Sequence, residues 1–150
     1  MSAPAGDLTV VAFQVGPGRY ALPVEVCRGV VAPSGVVPLP SQGPWVLGLK
    51  ELQGRSVPVI SLRAWLGLGP SEARERWLLA ALGSLVVLLV ADHVLGVFSL
   101  QNKDLRPPME APPGLLPAVT GRVFRHGEGL LVELRPEALA RALGLQGEAG

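Results

Sequence analysis

Glycine and proline punctuate this chain so often that no long helix can form in most of it. Nineteen Gly and 15 Pro fall among 150 residues, and the Val- and Leu-rich runs between them have the length of strands. The chain therefore reads as mainly β. "LTVVAFQV" (8–15) is a first strand, "GPGR" a turn, and "RYALP" its hairpin partner. In "VEVCRGVV", Val24, Cys27 and Val31 fit helical spacing better than strand spacing, which suggests a short helix before a strand. Residues 32–45 carry four prolines, and without those N–H donors they form an extended loop with at most a short edge strand.

Two apolar runs then meet at Gln53-Gly54, a hairpin turn: "WVLGLKEL" and "RSVPVISL". Alternation places Leu47, Leu49 and Glu51 on one face and Lys50 and Leu52 on the other, with Val57 and Val59 opposed to Pro58 and Ile60. Both faces carry apolar residues. Pro58 donates no hydrogen bond, so its strand must lie at an edge or face a gap in the ladder. An apolar edge is a docking surface unless another part of the same barrel covers it.

"LRAWLGLGP" begins as one or two helical turns and stops at Gly67 to Pro70. Residues 77–91, "WLLAALGSLVVLLVA", are uncharged. They fall short of the ~20 residues a spanning helix needs, and Gly83-Ser84 divides them into two strands of a buried hairpin. "ADHVLGVFSL" continues or re-enters the sheet, and "KDLRPPMEAPPGLLP" is too poor in donors for a central strand. "AVTGRVFRHGEGLLVEL" closes as another hairpin around His126 to Gly129. "RPEALARALG" ends the chain as an amphipathic helix with Pro136 in its first turn. About ten short strands at this spacing suggest one or two small closed barrels, or a sandwich.

Chemistry-bearing residues are sparse: three Asp, two His, one Cys and one Tyr. Asp92 and His93 are adjacent and point to opposite faces of a strand, so they are no ready-made dyad, although a ligand-binding barrel or an enzyme using a pocket beside them is the rival reading. His126 and Glu128 on a glycine turn supply too few ligands for zinc. No catalytic, metal or cofactor motif occurs. Thirteen basic residues against 12 acidic ones, with few aromatics, give no field or stacking surface for nucleic acid. The lone Cys27 lies in an apolar run and reads as a packed thiol in a reducing compartment. "MSAPAGD" lacks the features of a signal peptide.

"ELQGRSVPVISLR" resembles the signature of the CheW family of chemotaxis coupling proteins: Asn-Leu-Arg-Gly, three residues, Pro, two residues, Asp-Leu-Arg. Leu52, Gly54, Pro58, Leu62 and Arg63 match in register. "FQVGPGRYALPVEVCRGVV" resembles the family's opening hairpin, "LVVLLVADHV" its Val-Asp-x-Val strand with Asp92 on the acidic position, and "LLPAVTGRVFRHGEGLLVELRPEAL" its closing hairpin and helix. The family's Arg at the hairpin tip is Gln53 here, its Asn is Glu51, the Asp before Leu62 is Ser61, and a common Glu falls near Gly29 beside Arg28.

The resemblance implies a single domain over residues 8–144, between flexible segments 1–7 and 145–150. Its fold would be two packed, five-stranded SH3-like barrels with short helices and a C-terminal helix. It further implies a cytoplasmic, noncatalytic adaptor, without cofactor or membrane insertion, joining the regulatory domain of a CheA-type histidine kinase to the cytoplasmic tip of a chemoreceptor. The expected partner contacts are Glu51, Leu52, Gln53, Arg55 and Pro58 on the hairpin, with a second patch at Arg28, Val30 and Val31.

Overall fold

The computed structural model describes residues 8–39, 43–69, 75–107 and 118–145. Strand β1 (Leu8–Val15) turns into β2 (Gly18–Pro23), and one 3-10 turn at Val24–Val26 leads to β3 (Cys27–Val31). The short β4 (Val36–Val37) precedes the hairpin of β5 (Val46–Leu52) and β6 (Arg55–Ser61), which ends in α1 (Leu62–Trp65). The Ser61 hydroxyl caps α1 by accepting from the Ala64 N–H, and Gly67, at a φ of 77°, follows its end. Then come β7 (Arg76–Leu82), β8 (Leu85–Ala91), β9 (His93–Leu100), a two-residue β10 (Leu105–Arg106), β11 (Thr120–His126), β12 (Gly129–Leu134) and α2 (Pro136–Ala142). The expected flexible segment 1–7 lies outside the described residues, as do 146–150 and most of the Pro-rich crossing segment.

Two sheets result, ordered β10-β11-β12-β2-β1-β9 and β3-β7-β8-β6-β5-β4. Each holds five strands of five or more residues and one strand of two. The chain starts in the first sheet, builds all of the second from β3 to β8, and returns with β9. In each sheet one parallel pairing, β12 with β2 and β6 with β8, joins antiparallel hairpins.

Three apolar clusters explain why the strand sequences look as they do. Val10, Ala12, Ala21, Leu100, Phe124 and Leu131 fill the concave side of the first sheet. Val57, Val59, Trp77, Leu88 and Val90 fill that of the second. Between the sheets lies the largest cluster, which takes the alternate residues of the same strands: Val11, Phe13 and Val15 from β1, Leu78, Ala80 and Leu82 from β7, and Val87 and Leu89 from β8. A strand buried on both faces has no reason to alternate polar with apolar. That is the physical basis of the uncharged run at 77–91, which is a β7–β8 hairpin. Among the described residues no helix is long and apolar enough to cross a membrane.

The C-terminal helix closes the assembly. Leu139 and Leu143 enter the shared cluster, and the Trp45 indole N–H donates to the Leu143 carbonyl at 2.7 Å. That bond satisfies a helix-end carbonyl that has no partner within the helix.

Candidate partner-binding site

The β5–β6 hairpin is closed by two residues with positive φ, Gln53 at 51° and Gly54 at 82°. That is the geometry of a type I′ turn, whose twist suits the flanking strands. Gln53 is the one non-glycine residue with positive φ among those described. Its backbone is held in a region that disfavours a Cβ. The register runs Leu52 opposite Arg55, Lys50 opposite Val57 and Leu49 opposite Pro58, with a bulge between Val46 and Gly48. Gly48 is required there: a Cβ would sit 2.1 Å from the Val37 carbonyl oxygen, where β4 crosses the bulge.

Pro58 does not lie on an edge strand. β6 is interior, flanked by β5 and β8, but its pairing with β8 begins only at Val59, opposite Leu88. From Arg55 to Pro58 the strand has no β8 partner, and Leu85 to Val87 of β8 pair only with β7 on their other side. Pro58 is thus the last residue before the ladder starts, where its missing N–H costs least. The expectation of a gap in the ladder holds and that of an edge does not.

An open cleft of about 440 Å³ occupies the gap. Leu52, Gln53, Arg55 and Pro58 line it from the hairpin, and Leu79, Leu85 and Val86 from the facing strands. Leu52, Val57, Leu79 and Val86 also belong to the apolar cluster inside the second sheet. The cleft therefore looks between two splayed strands into a barrel interior. Leu52 is half-buried: its side chain walls the cleft and packs on the core behind it. Glu51 is exposed opposite Ser56 and is not among the lining residues. Sequence reading missed Leu79, Leu85 and Val86, because only the β6–β8 pairing brings them to the hairpin, and it did not single out Leu49, which sits opposite Pro58 on the hairpin itself.

The second expected patch lies elsewhere. β3 is the opposite edge of the same sheet, separated from β6 by β7 and β8. Arg28 and Val30 are exposed, Val30 at 52%, whereas Val31 packs against the inner cluster of the second sheet. The hairpin and β3 residues thus form two surfaces.

Asp92 and His93 do not converge on a common site. Asp92 is the single residue between β8 and β9, where the chain passes from one sheet to the other, and it is the one buried polar residue among those described. Its Oδ2 accepts from the Gly16 N–H at 2.7 Å and from Arg63 Nη1 at 2.8 Å. Its own N–H donates to the Gln14 carbonyl at 2.9 Å. Gly16 belongs to the β1–β2 turn of the first sheet and Arg63 to α1 beside the second, so one carboxylate ties both sheets to the crossover. His93 is exposed. The rival reading of a pocket built on this pair loses its acid to a structural ion pair.

The other reactive groups are similarly engaged. Arg19 Nη2 lies 2.8 Å from His126 Nδ1, and since a guanidinium can only donate, Nδ1 accepts and a neutral ring carries its proton on Nε2. The His126 ring also packs on Phe98, with centroids 4.3 Å apart. Cys27 is half-buried, its Sγ 3.6 Å from the Pro23 carbonyl. Burial, with the nearby Glu25 carboxylate, pushes its thiol up to about 11. Among the described residues no three His, Cys, Asp or Glu side chains gather as metal ligands would.

Comparison with known proteins bears on the whole chain. Residues 9–143 match the CheW-like domain family. The chain is 27% identical over 104 residues to the chemotaxis protein CheW of Rhizobium meliloti, covering 68% of this chain and 67% of that one. It is 29% identical over 139 residues to protein PilI of Pseudomonas aeruginosa, covering 89% and 76%. To protein FrzA of Myxococcus xanthus it is 32% identical over 98 residues, covering 64% and 61%. The crystal structure of the scaffolding protein TtCheW from Thermoanaerobacter tengcongensis superposes with a TM-score of 0.75 at 19% identity, over 85% of this chain and 88% of that one. That likeness extends to both packed barrels.

Proposed function

The chain belongs to the CheW-like domain family and is a coupling adaptor of chemotaxis-type signalling, and from that premise we propose that it works without catalysis, in the cytoplasm, by holding a CheA-type kinase regulatory domain and a chemoreceptor tip together. The observation that carries the partner surface is the cleft where β6 and β8 separate. It exposes core-type side chains, Leu52, Leu79 and Val86, through a gap that no strand of the described chain fills. A partner side chain of leucine size entering it would gain about 1.5–3 kcal/mol, so two or three such anchors supply much of the roughly 8 kcal/mol of a micromolar complex.

The polar residues at the mouth set direction and selectivity. Arg55 is exposed, Gln53 stands at the tip, and Glu51 is exposed on the neighbouring strand. A charged rim around an apolar centre steers encounter more than it adds affinity. Gln53 and Glu51, in place of the Arg and Asn of the family signature, give this rim its own charge pattern and so its own choice among kinases and receptors. The single-domain reading over residues 8–144 fits the shared apolar cluster, which joins both sheets.

The test is capture of a kinase regulatory domain and, separately, of a receptor-tip fragment by the full chain and by two variants. Arg55→Glu alters an exposed side chain and should keep the thermal midpoint while weakening capture about tenfold. Leu52→Asp should abolish capture, with a stability loss of about 1–3 kcal/mol because Leu52 also packs on the core. Undiminished capture by a folded Arg55→Glu together with undiminished capture by Leu52→Asp would remove the cleft from the interface.

A further inference from the structure

On the far side of the β7–β8 turn from the hairpin cleft lies a second, larger opening of about 620 Å³. The two share no lining residue: Gly83 borders this one and Ser84 the other. Three arginines reach it from three parts of the chain, Arg28 from β3, Arg135 from the residue before α2, and Arg141 from the helix itself. All three are exposed, and neither ion pair found among the described residues involves any of them.

The backbone that carries two of them is fixed. The Arg135 N–H donates to the Val119 carbonyl at 2.8 Å, and its carbonyl accepts from the Leu139 N–H at 2.8 Å. Leu139 is fully buried in the shared cluster, so α2 cannot roll to withdraw its charges. Glu137 is the one acidic residue lining the opening, and its Cγ lies 3.2 Å from where a Cβ on Gly83 would be, so its side chain lies against the turn. The remaining walls are apolar: Val26, Ala81, Ala118, Pro136 and Ala138.

Three arginines around an apolar floor, with one carboxylate among them, give a net charge of +2 in a cleft on a chain whose formal net charge is only +1. Charge of that sign is local to the cleft and is not a property of the whole surface. We infer that this cleft binds an acidic protein segment, its Asp or Glu carboxylates paired with Arg28, Arg135 and Arg141 and its small apolar residues set on the apolar floor. Guanidinium groups match carboxylates in planar, two-point geometry. Glu137 repels a continuous polyanion but tolerates carboxylates spaced along a peptide, which favours a protein segment over nucleic acid or an anionic bilayer. Only the identification of the segment's owner as a signalling partner rests on the adaptor reading. With two clefts on either side of one turn, an apolar partner and an acidic one can be held at once.

The test needs neither kinase nor receptor. The 15N-labelled chain is titrated with a short synthetic peptide of alternating Glu and Ala, and in parallel with a Lys-Ala peptide, inorganic phosphate and phosphatidylglycerol vesicles. The acidic peptide should shift the side-chain Nε–H signals of Arg28, Arg135 and Arg141, and Arg135→Gln and Arg141→Gln should each weaken it about tenfold with unchanged melting. No shift up to about millimolar peptide, equal binding by the variants, or equal shifts with phosphate or vesicles would overturn the inference. A chain that binds the peptide yet captures no kinase or receptor refutes only the adaptor reading; the converse refutes only this one.

Discussion

Removing the Asp92 carboxylate should loosen the joint between the two sheets, and the cost can be worked from its partners. Asp92→Ala deletes two hydrogen bonds at 2.7 and 2.8 Å, one from a backbone N–H and one from a guanidinium. The carboxylate is 10% exposed and the Arg63 side chain 21%. Hydrogen bonds to a charged group contribute about 1.5–3 kcal/mol each, but Arg63 can turn partly toward water, so the sum is discounted to about 2–3 kcal/mol. For a chain of this size that is a fall of about 5–10 °C in Tm. Asp92→Asn keeps one acceptor oxygen for Gly16 but loses the charge, and should cost about half as much. The backbone bond to Gln14 survives in both. Urea denaturation of Asp92→Ala, Arg63→Ala and the double variant forms a cycle whose coupling should be about 1–2 kcal/mol. A loss under about 0.5 kcal/mol for Asp92→Ala, or strict additivity, would refute the idea that this ion pair joins the sheets.

Relief of the positive φ at Gln53 makes Gln53→Gly or Gln53→Asn stabilising by about 0.5–1 kcal/mol in the same denaturation assay. Trp45→Phe removes the indole donor from the Leu143 carbonyl while keeping most of the ring; it should cost about 1 kcal/mol and speed amide exchange in the last turn of α2. The Cys27 thiol, raised to about 11, holds roughly a hundredfold less thiolate near pH 8 than a thiol with an ordinary value near 9. Its alkylation by iodoacetamide should be slower in proportion, and should recover in urea. Gly48→Ala brings a Cβ against the Val37 carbonyl and should destabilise by about 2 kcal/mol or more, read as a lower thermal midpoint.

Much of the fold is legible because its signals are local. Gly83-Ser84 and Gln53-Gly54 mark hairpins through backbone conformations that glycine allows, Pro136 begins a helix where no N–H is missed, and Val24–Val26 forms one tight turn ahead of β3, as the spacing suggested. Pro58 shows where local reading stops. A missing donor requires a gap or an edge, and choosing between them depends on where β8, about 30 residues later, begins to pair. Leu52 is similar. Alternation gives its face, but only the pairing of the second sheet decides that this face is an interior, which makes the expected partner contact the wall of a cleft.

The ion pair and the basic cleft lie beyond any local pattern. Asp92 interrupts an apolar run, and the family resemblance marks both it and Arg63, yet the two bonds its carboxylate accepts come from residues 29 and 76 positions away. Arg28 and Arg135 are more than a hundred residues apart and border one opening because α2 packs against β7, the strand next to β3. By itself the sequence determined which segments are strands, where they turn, and that several must be buried on both faces, since period, proline and glycine act within a few bonds. Tertiary structure alone decided which strand edges separate, which charges are consumed in the joint, and which remain to face a partner, since those depend on pairings between residues far apart in the chain.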